Sequence, residues 1–409
     1  MIGAGAAVVL LLVGGLLRSP ALLAVGAIVG LVALLRSLWT RFGLRELSYE
    51  RRLDTPRAAV GEEIGLELIV RNRKLLPLPW LAVDDLVTRG ANILGRTLEP
   101  SVHPGLLVLR TTWTLGWFQR VTRRLRIAAE RRGVYEFRGV QLLVGDLFTS
   151  ATVVEERELA TRYRVVPRTL PVRGAANLSE VPGTARRRQG WFEEPTLYAG
   201  VRPYRAGDPL RRVHWKATAR LRRPVSRRYD PGATRESLVA VDAQTVPGPF
   251  WIMRYQEDLL EGLYTAALSL ARNRIEAGAA CGLAANAYSR RPERTLYLAP
   301  SAAFGQVARI ADALAALSPW SSLPFANLLD DLGRRLPPTT TLLALTSLPT
   351  NDVLEVLRGL QLSGRDVQLC LFGAEAAGRL VAARALTIPT SLARLDPDWR
   401  TSDALELVG

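Results

Sequence analysis

Two apolar runs at the start of the chain constrain its fold more than any other feature of the sequence. Residues 2–17 and 21–35 contain no charged side chain, and only the break Arg18-Ser19-Pro20 separates them. Proline cannot continue a helix interior, so the break favours two helices over one bent helix. A 16-residue helix is about 24 Å long, and thinning of a bilayer core of about 30 Å can accommodate that length. The sequence therefore predicts a transmembrane helical hairpin over residues 1–40.

The arginines around these runs predict the orientation. Residues 36–57 carry six arginines, whereas the predicted tip of the hairpin carries only Arg18. The positive-inside rule then places both ends of the hairpin in the cytoplasm. A cleavable signal peptide is the alternative. It needs a charged start, however, and cleavage after the first run would leave the second apolar run on the mature protein without a role. We expect a multi-pass protein of the cell membrane with cytoplasmic soluble domains.

The rest of the chain is long enough for two or three domains, and its two cysteines suggest a reducing compartment. The chain has 409 residues, and domains usually contain about 100–200. Cys281 and Cys370 both lie in apolar runs. Two thiols in such surroundings indicate core positions and provide neither a disulfide framework nor metal-ligand spacing.

Residues 45–170 change to a period of two. In the run IGLELIVRNR, the apolar residues Ile64, Leu66, Leu68 and Val70 fall on one face of a strand. Other short runs repeat this pattern between turns rich in Gly, Pro and Asp. The pattern predicts an antiparallel β-sandwich domain of roughly immunoglobulin size.

Residues 236–409 alternate short apolar strands with amphipathic helices, beginning with the run SLVAVD. This alternation predicts an α/β doubly wound domain with a mostly parallel sheet. Ligands bind such sheets at the carboxyl ends of the strands. The candidate positions are therefore Asp242, after the first strand, and residues 346–352, after a later one.

The connecting segment, residues 171–235, is strongly basic. Residues 186–228 hold thirteen Lys and Arg against three acids, which leaves +10 of the chain's net charge of +16. Asp208 followed by a proline predicts a capped helix start, and Val213, Ala217 and Leu221 continue at helical spacing. The charge implies an anionic lipid, nucleic acid or acidic protein as neighbour, or simply a solvated face. The candidate binding residues are Arg205, Asp208, Arg211, Arg212, His214, Trp215, Lys216 and Arg220.

Catalytic chemistry finds little support in the sequence. Asp208 and His214 lie six positions apart on the predicted helix, on different faces, so they would not form an acid–base pair. His214 and Trp215 are expected to be packing residues, and His103 a solvated loop residue. Because phosphate loops and zinc-binding helices are also missing, we predict that the protein is not an enzyme.

Three stretches resemble a known bacterial family, the "domain of unknown function 58". They are RGVYEFRGVQLLVGDLF, then YRVVPR, then FEEPTLYAGVRPYRAGDPLRRVHWKATARL. The resemblance implies a membrane-anchored protein with a C-terminal domain similar to the von Willebrand factor type A fold. It also implies a MoxR-type AAA+ ATPase as a neighbour, and it supplies no reaction.

The resemblance raises the question of a metal site at Asp242. Type A domains that bind a metal use Asp-x-Ser-x-Ser after the first strand, because hydroxyls and a carboxylate suit a hard cation. In this chain Gln244 and Val246 replace both serines. We therefore expect no metal and no cofactor at this degenerate site.

Together these observations predict a non-catalytic, membrane-anchored interaction or scaffold protein. The predicted partner is a protein, with the MoxR-type ATPase as the candidate, in a cell-envelope or protein-maturation role. Binding of anionic lipid or nucleic acid through the basic segment is one alternative, and nucleic acid is disfavoured because few aromatic side chains accompany the charges. A metal-dependent adhesion module at Asp242 is the other alternative.

Overall fold

The computed structural model describes residues 2–145, 152–174, 198–204, 213–229, 236–289, 295–395 and 399–408. The chain divides into two compact units, Met1–Val166 and Pro167–Gly409. Among the described residues, the first unit has two helices and ten strands, and the second alternates helices with strands over most of its length. The chain is thus multidomain, with a β-rich N-terminal part.

Two helices open the first unit, α1 (Ile2–Leu16) and α2 (Pro20–Phe42). Ser19 caps α2 by accepting a hydrogen bond from the backbone of Leu22, and Pro20 occupies the first helical position, where its missing N–H has no cost. Helix α2 continues seven residues beyond the second apolar run. With a mean hydropathy of 2.3 over 18 residues, it is long and apolar enough to cross a membrane.

The last turn of α2 is joined closely to the β-rich part of the unit. The indole Nε1 of Trp39 donates a hydrogen bond of 3.0 Å to the carbonyl of Pro77. Gly43 ends the helix where a Cβ atom would lie 2.4 Å from the Trp39 carbonyl oxygen and 2.8 Å from Val144 Cγ1. Only glycine allows this approach, and strand β1 begins four residues later at Leu47.

The strands of the first unit form two sheets. The four-stranded sheet has the order β1-β3-β8-β5, and the six-stranded sheet has the order β2-β10-β9-β4-β7-β6. All pairs are antiparallel except β2 with β10. The strands are β1 (Leu47–Leu53), β2 (Arg57–Ala59), β3 (Glu63–Asn72), β4 (Leu78–Thr88), β5 (Asn92–Ile93), β6 (Glu99–Pro100), β7 (Leu106–Leu115), β8 (Arg120–Ala128), β9 (Gly133–Gly145) and β10 (Thr152–Val166). The period of two is confirmed at β3, where Ile64, Leu66 and Leu68 are fully buried.

A buried charge cluster lies within this unit. Arg51 on β1 donates from one guanidinium nitrogen to Asp85 Oδ1 at 3.0 Å, and neither side chain is exposed to solvent. The hydroxyl of Tyr49 donates to the other carboxylate oxygen at 2.5 Å, and Arg51 also donates to the carbonyl of Leu159. Burial raises the pKa of Asp85 to about 6, although Arg51 and the Tyr49 hydroxyl act in the opposite direction.

An eight-stranded sheet with the order β11-β22-β21-β20-β19-β14-β15-β17 organises the second unit. Strands β15, β14, β19, β20 and β21 run parallel, and β17 and β22 are antiparallel to their neighbours β15 and β21. The described residues also contain two-stranded pairs, β12 with β13 and β16 with β18.

The elements of the second unit follow one another in near-regular alternation. The strands are β11 (Val172–Arg173), β12 (Tyr198–Pro203), β13 (Val225–Tyr229), β14 (Glu236–Val241), β15 (Ala280–Ala285), β16 (Ala287–Ser289), β17 (Leu296–Ser301), β18 (Leu317–Ser321), β19 (Thr341–Thr346), β20 (Val367–Phe372), β21 (Thr390–Arg394) and β22 (Leu405–Val408). The helices are α3 (Trp215–Leu221), α4 (Glu257–Glu276), α5 (Gln306–Ala316), α6 (Phe325–Arg335), α7 (Asn351–Leu362), α8 (Ala374–Ala377) and α9 (Leu380–Ala385). The sequence did not predict the short strands β18, β21 and β22.

The parallel strands supply the core of this unit. The residues from Leu238 to Val241 in β14 are all fully buried, as the apolar run predicted. Leu238 and Ala240 belong to a cluster that includes Leu329 of α6, Leu357 of α7 and Leu369 of β20. Cys281 and Cys370 are free thiols with no exposed surface, which confirms that both are core positions.

Candidate functional site

Strands β14 and β19 are neighbours in the sheet, although α4, β15, β17 and two further helices separate them along the chain. The connections leave toward opposite edges of the sheet at this pair, so a crevice opens beyond their carboxyl ends. Asp242 follows β14, and Thr346 is the last residue of β19. The structure therefore brings together two of the positions that the sequence selected.

The carboxylate of Asp242 is held by protein donors. Its Oδ2 accepts a hydrogen bond of 2.8 Å from the Thr346 hydroxyl. Its Oδ1 accepts from the side-chain amide of Asn286 at 2.9 Å and from the backbone of Gln244 at 3.1 Å. Asn286 is in turn fixed, since its Oδ1 accepts from the backbone of Ala243 at 2.7 Å. This network fixes the orientation of the carboxylate.

Asn286 is a site residue that sequence reasoning missed. It follows β15, the other neighbour of β14, and is fully buried. A polar residue directly after a predicted parallel strand was the available signal, because the carboxyl ends of adjacent parallel strands meet at one edge. The same rule had identified Asp242 and Thr346.

Burial dominates the electrostatics of Asp242. The residue is 3% exposed, and this burial raises its pKa to about 6 even though its three hydrogen bonds favour the charged form. Removing a carboxylate from water disfavours ionisation, and here the carboxylate has hydrogen-bond donors around it but no ion pair with another described residue. Because this pKa is higher than that of an unfolded aspartate, the free energy of unfolding falls as the pH rises and the carboxyl group ionises.

The loop after β14 is arranged around an amide and not around a cation. Gln244 occupies the first serine position of the metal motif, and its side-chain amide donates to the carbonyls of Val246 at 3.1 Å and Gly248 at 2.6 Å. Val246 supplies no side-chain oxygen. Thr346 Oγ1 is also engaged, because it accepts from the Leu348 backbone at 2.9 Å. These residues do not fit the octahedral oxygen ligation of Mg²⁺.

A cavity of about 530 Å³ lies beside this network. Its walls come from the loop after β14, the start of α6 and the loop between β19 and α7, including Asp242, Phe325, Ser347 and Thr350. The loop after β14 carries exposed apolar side chains near the cavity. Trp251 lines the cavity and is 68% exposed. Met253, two residues further along the same loop, is 75% exposed. Exposed aromatic and Met side chains beside a cavity are typical of protein interfaces.

The basic segment is described only in part. Arg205, Asp208, Arg211 and Arg212 lie outside the described residues. His214, Trp215, Lys216 and Arg220 lie at the start of α3 or within it.

The described part of this segment corrects two expectations. Helix α3 begins at Trp215, and Val213 forms a β-bridge with Ser226. The predicted helical face that included Val213 is therefore wrong, because pairing with β13 holds that backbone extended. Trp215 is 67% exposed and not a packing residue. Lys216 and Arg220 are exposed as well.

His214 is the N-cap of α3. Its Nδ1 accepts a hydrogen bond of 3.1 Å from the backbone of Ala217. We expect His214→Ala to destabilise α3 by about 0.5–2 kcal/mol, and His214→Asn to cost less because asparagine also caps helices. Hydrogen exchange of the α3 amides checks this, and equal exchange rates in the two variants would contradict the cap.

Comparison with known proteins places the chain near uncharacterised sequences. Over 250 residues it is 23% identical to "Uncharacterized protein YeaD" of Bacillus subtilis (strain 168), which covers 59% of this chain and 56% of that protein. The chain thus spans little more than half the length of the curated relative it matches.

The solved structures that are similar to this chain each cover less than a third of it. The CARDB domain of the PF1109 protein from Pyrococcus furiosus is 17% identical, with 29% of this chain and 87% of that chain covered and a TM-score of 0.19. A cohesin module of a family 33 glycoside hydrolase from Clostridium perfringens is 11% identical, with 29% and 96% covered and a TM-score of 0.20. At these scores the likeness carries no argument about function. Residues 200–364, which include α3, Asp242 and Thr346, match the family model described as "Protein of unknown function DUF58".

Proposed function

We propose that this protein is a non-catalytic, membrane-anchored interaction protein that binds a protein partner at the cavity beyond β14 and β19. The observation that carries the proposal is the exposure of Trp251, which lines that cavity, together with the exposure of Met253 in the same loop. Large apolar side chains of this kind supply most of the binding energy at protein interfaces. Asp242 lines the cavity, and its three hydrogen bonds hold its carboxylate in one orientation there.

The strand order supports a von Willebrand factor type A-like domain, as the family resemblance implies. From one edge, the order β17-β15-β14-β19-β20-β21 corresponds to strands 3-2-1-4-5-6 of a doubly wound sheet. In such a sheet the loops after the first and fourth strands form the ligand face. The cavity lies at this face.

The N-terminal helices support the membrane anchor. Helix α2 is long and apolar enough to cross a bilayer, and α1 packs against it, with Gly26 close to Leu11 and Gly30 close to Ala7. We propose that α1 and α2 form a transmembrane hairpin. The arginines that follow the apolar run then retain both units in the cytoplasm.

The proposed partner is the MoxR-type AAA+ ATPase that the family resemblance implies. Binding is measured with the purified ATPase of the same organism and the full chain reconstituted in lipid nanodiscs. We expect Trp251→Ala to weaken the affinity at least about tenfold, because a truncated aromatic hot spot costs 2 kcal/mol or more. Phe304→Ala is the matched control, since Phe304 is a fully exposed aromatic residue that does not line the cavity.

The outcomes separate the parts of the proposal. If the ATPase binds and Trp251→Ala and Phe304→Ala behave alike, the cavity is not the docking site. If the unmodified chain does not bind the ATPase, that partner is wrong. Exposed Lys216 and Arg220 on α3 favour a second contact with acidic groups of the partner.

A further inference from the structure

One loop of the first unit lies against the end of α2, and a second loop is bonded to the first. They are residues 73–77, between β3 and β4, and residues 116–119, between β7 and β8; we refer to them as the loop pair. Lys74 Nζ donates to the carbonyl of Arg45 at 2.7 Å, and the backbone of Arg73 donates to the carbonyl of Glu46 at 3.0 Å. Trp39 also donates a hydrogen bond to Pro77. The first loop therefore contacts both the last turn of α2 and the residues just beyond it.

The loop pair is held together by its own hydrogen bonds. Asn72 is buried, and its side-chain amide donates to the carbonyls of Leu76 at 2.9 Å and Gly116 at 2.8 Å. The backbone of Phe118 donates to the carbonyl of Lys74 at 3.2 Å. Because both loops bond to Asn72 and to each other, they form one surface.

This surface presents large apolar side chains to the outside. Leu75 is 73% exposed, Trp117 69% and Phe118 64%. Phe118 has a φ of +48°, a region that non-glycine residues seldom occupy and that costs backbone free energy. The fold thus maintains an unfavourable backbone angle in a segment that leaves two aromatic rings exposed.

Basic residues surround these apolar side chains. The exposed cations at or just beyond the end of α2 and at the loop pair outnumber the one exposed acid described there, Glu46. They are Arg41, Arg45, Arg73 and Arg120, the first residue of β8. Aromatic side chains flanked by arginine are the composition of a membrane–water interface. Basic residues close to an anionic leaflet are attracted to it.

We propose that Leu75, Trp117 and Phe118 insert into the interface of the same bilayer that α2 enters. The occupant of this surface is lipid, because the first loop bonds to the last turn of α2 and to the residues just beyond it, where that helix would leave the membrane. The β-rich part of the unit is then attached to the bilayer at two places, α2 and the loop pair. This inference rests on the membrane anchor proposed above.

The test measures the depth of single cysteine probes in the full chain reconstituted into vesicles. The native thiols Cys281 and Cys370 are fully buried, so an environment-sensitive fluorophore labels the introduced cysteine. Probes replace Trp117 and Leu75, with Leu34 of α2 as the membrane reference. The matched control is Val102, an exposed apolar residue in the loop that precedes β7. It lies at the other end of that strand from Trp117, about 30 Å away.

We expect brominated acyl chains to quench the probes at positions 34, 75 and 117 by about twofold or more, and to leave position 102 unchanged. If position 34 is quenched while 75 and 117 behave like 102, the lipid contact of the loop pair is refuted and the anchor stands. If position 34 is not quenched, the anchor itself is wrong and the inference falls with it.

Discussion

Replacement of Arg51 by methionine should lower the free energy of unfolding by about 3–5 kcal/mol, because it leaves the buried carboxylate of Asp85 without its cation. Methionine retains much of the length and apolar surface of the arginine stem, so the loss comes mainly from the charge. The side chains of Arg51 and Asp85 are both fully buried. Chemical denaturation that follows the transition of the β-rich unit measures the change.

The matched control is the next residue on β1. Arg52 pairs with Glu50 at 3.0 Å, but its side chain is 58% exposed, and exposed pairs contribute about 0–1 kcal/mol. Arg52→Met should therefore be close to neutral. Adding Asp85→Asn to Arg51→Met should restore part of the lost stability, since an amide leaves no uncompensated charge. Equal effects of Arg51→Met and Arg52→Met would contradict the assignment.

Replacement of Asp242 by asparagine should stabilise the α/β unit at neutral pH and change little at acid pH. The folded pKa of about 6 lies above the value of about 3.9 expected for an unfolded aspartate. The stability contributed by Asp242 is then fully present below pH 4 and is lost as the pH rises through 6. At pH 8 this linkage has lowered the free energy of unfolding of the wild-type chain by about 2–3 kcal/mol. The asparagine variant does not ionise at this position, so its free energy of unfolding is not lowered in this way.

Thermal melts of both proteins from pH 4 to pH 8 measure this difference. Asparagine can accept the hydrogen bonds from Asn286 and Gln244, so the network should persist. Asp352→Asn neutralises an exposed carboxylate that lines the same cavity and should reproduce the wild-type pH dependence. A variant Asp242→Asn that is less stable than the wild-type chain at pH 8 would show that the ionised carboxylate is favourable. An aspartate that costs stability at neutral pH would be consistent with a role in binding.

Local patterns predicted those parts of the fold that depend on periodicity. The alternation in IGLELIVRNR identifies the buried face of β3, and the run SLVAVD identifies β14 as a strand buried on both faces. The proximity of Asp242 and Thr346 was predictable because both follow parallel strands, and such strands end at one edge of a sheet. No knowledge of side-chain geometry was needed for these steps.

The remaining features depend on contacts between distant residues. Alternation along β1 places Arg51 on the buried face with Tyr49 and Arg52 on the opposite face, but it does not reveal that the partner of Arg51 is Asp85, 34 positions away. The start of α3 was mispredicted because pairing of Val213 with β13 overrides a helical pattern that is locally plausible. Tertiary pairing of this kind leaves no periodic signal.

The junction between α2 and β1 has a mechanical consequence. Four residues separate the helix from the strand, Gly43 is wedged against Val144, and Trp39 is bonded to Pro77. A connection this short and this well packed transmits torque. Rotation or tilt of α2 would therefore rotate the β-rich part of the unit with it, because the junction is rigid and not a flexible linker.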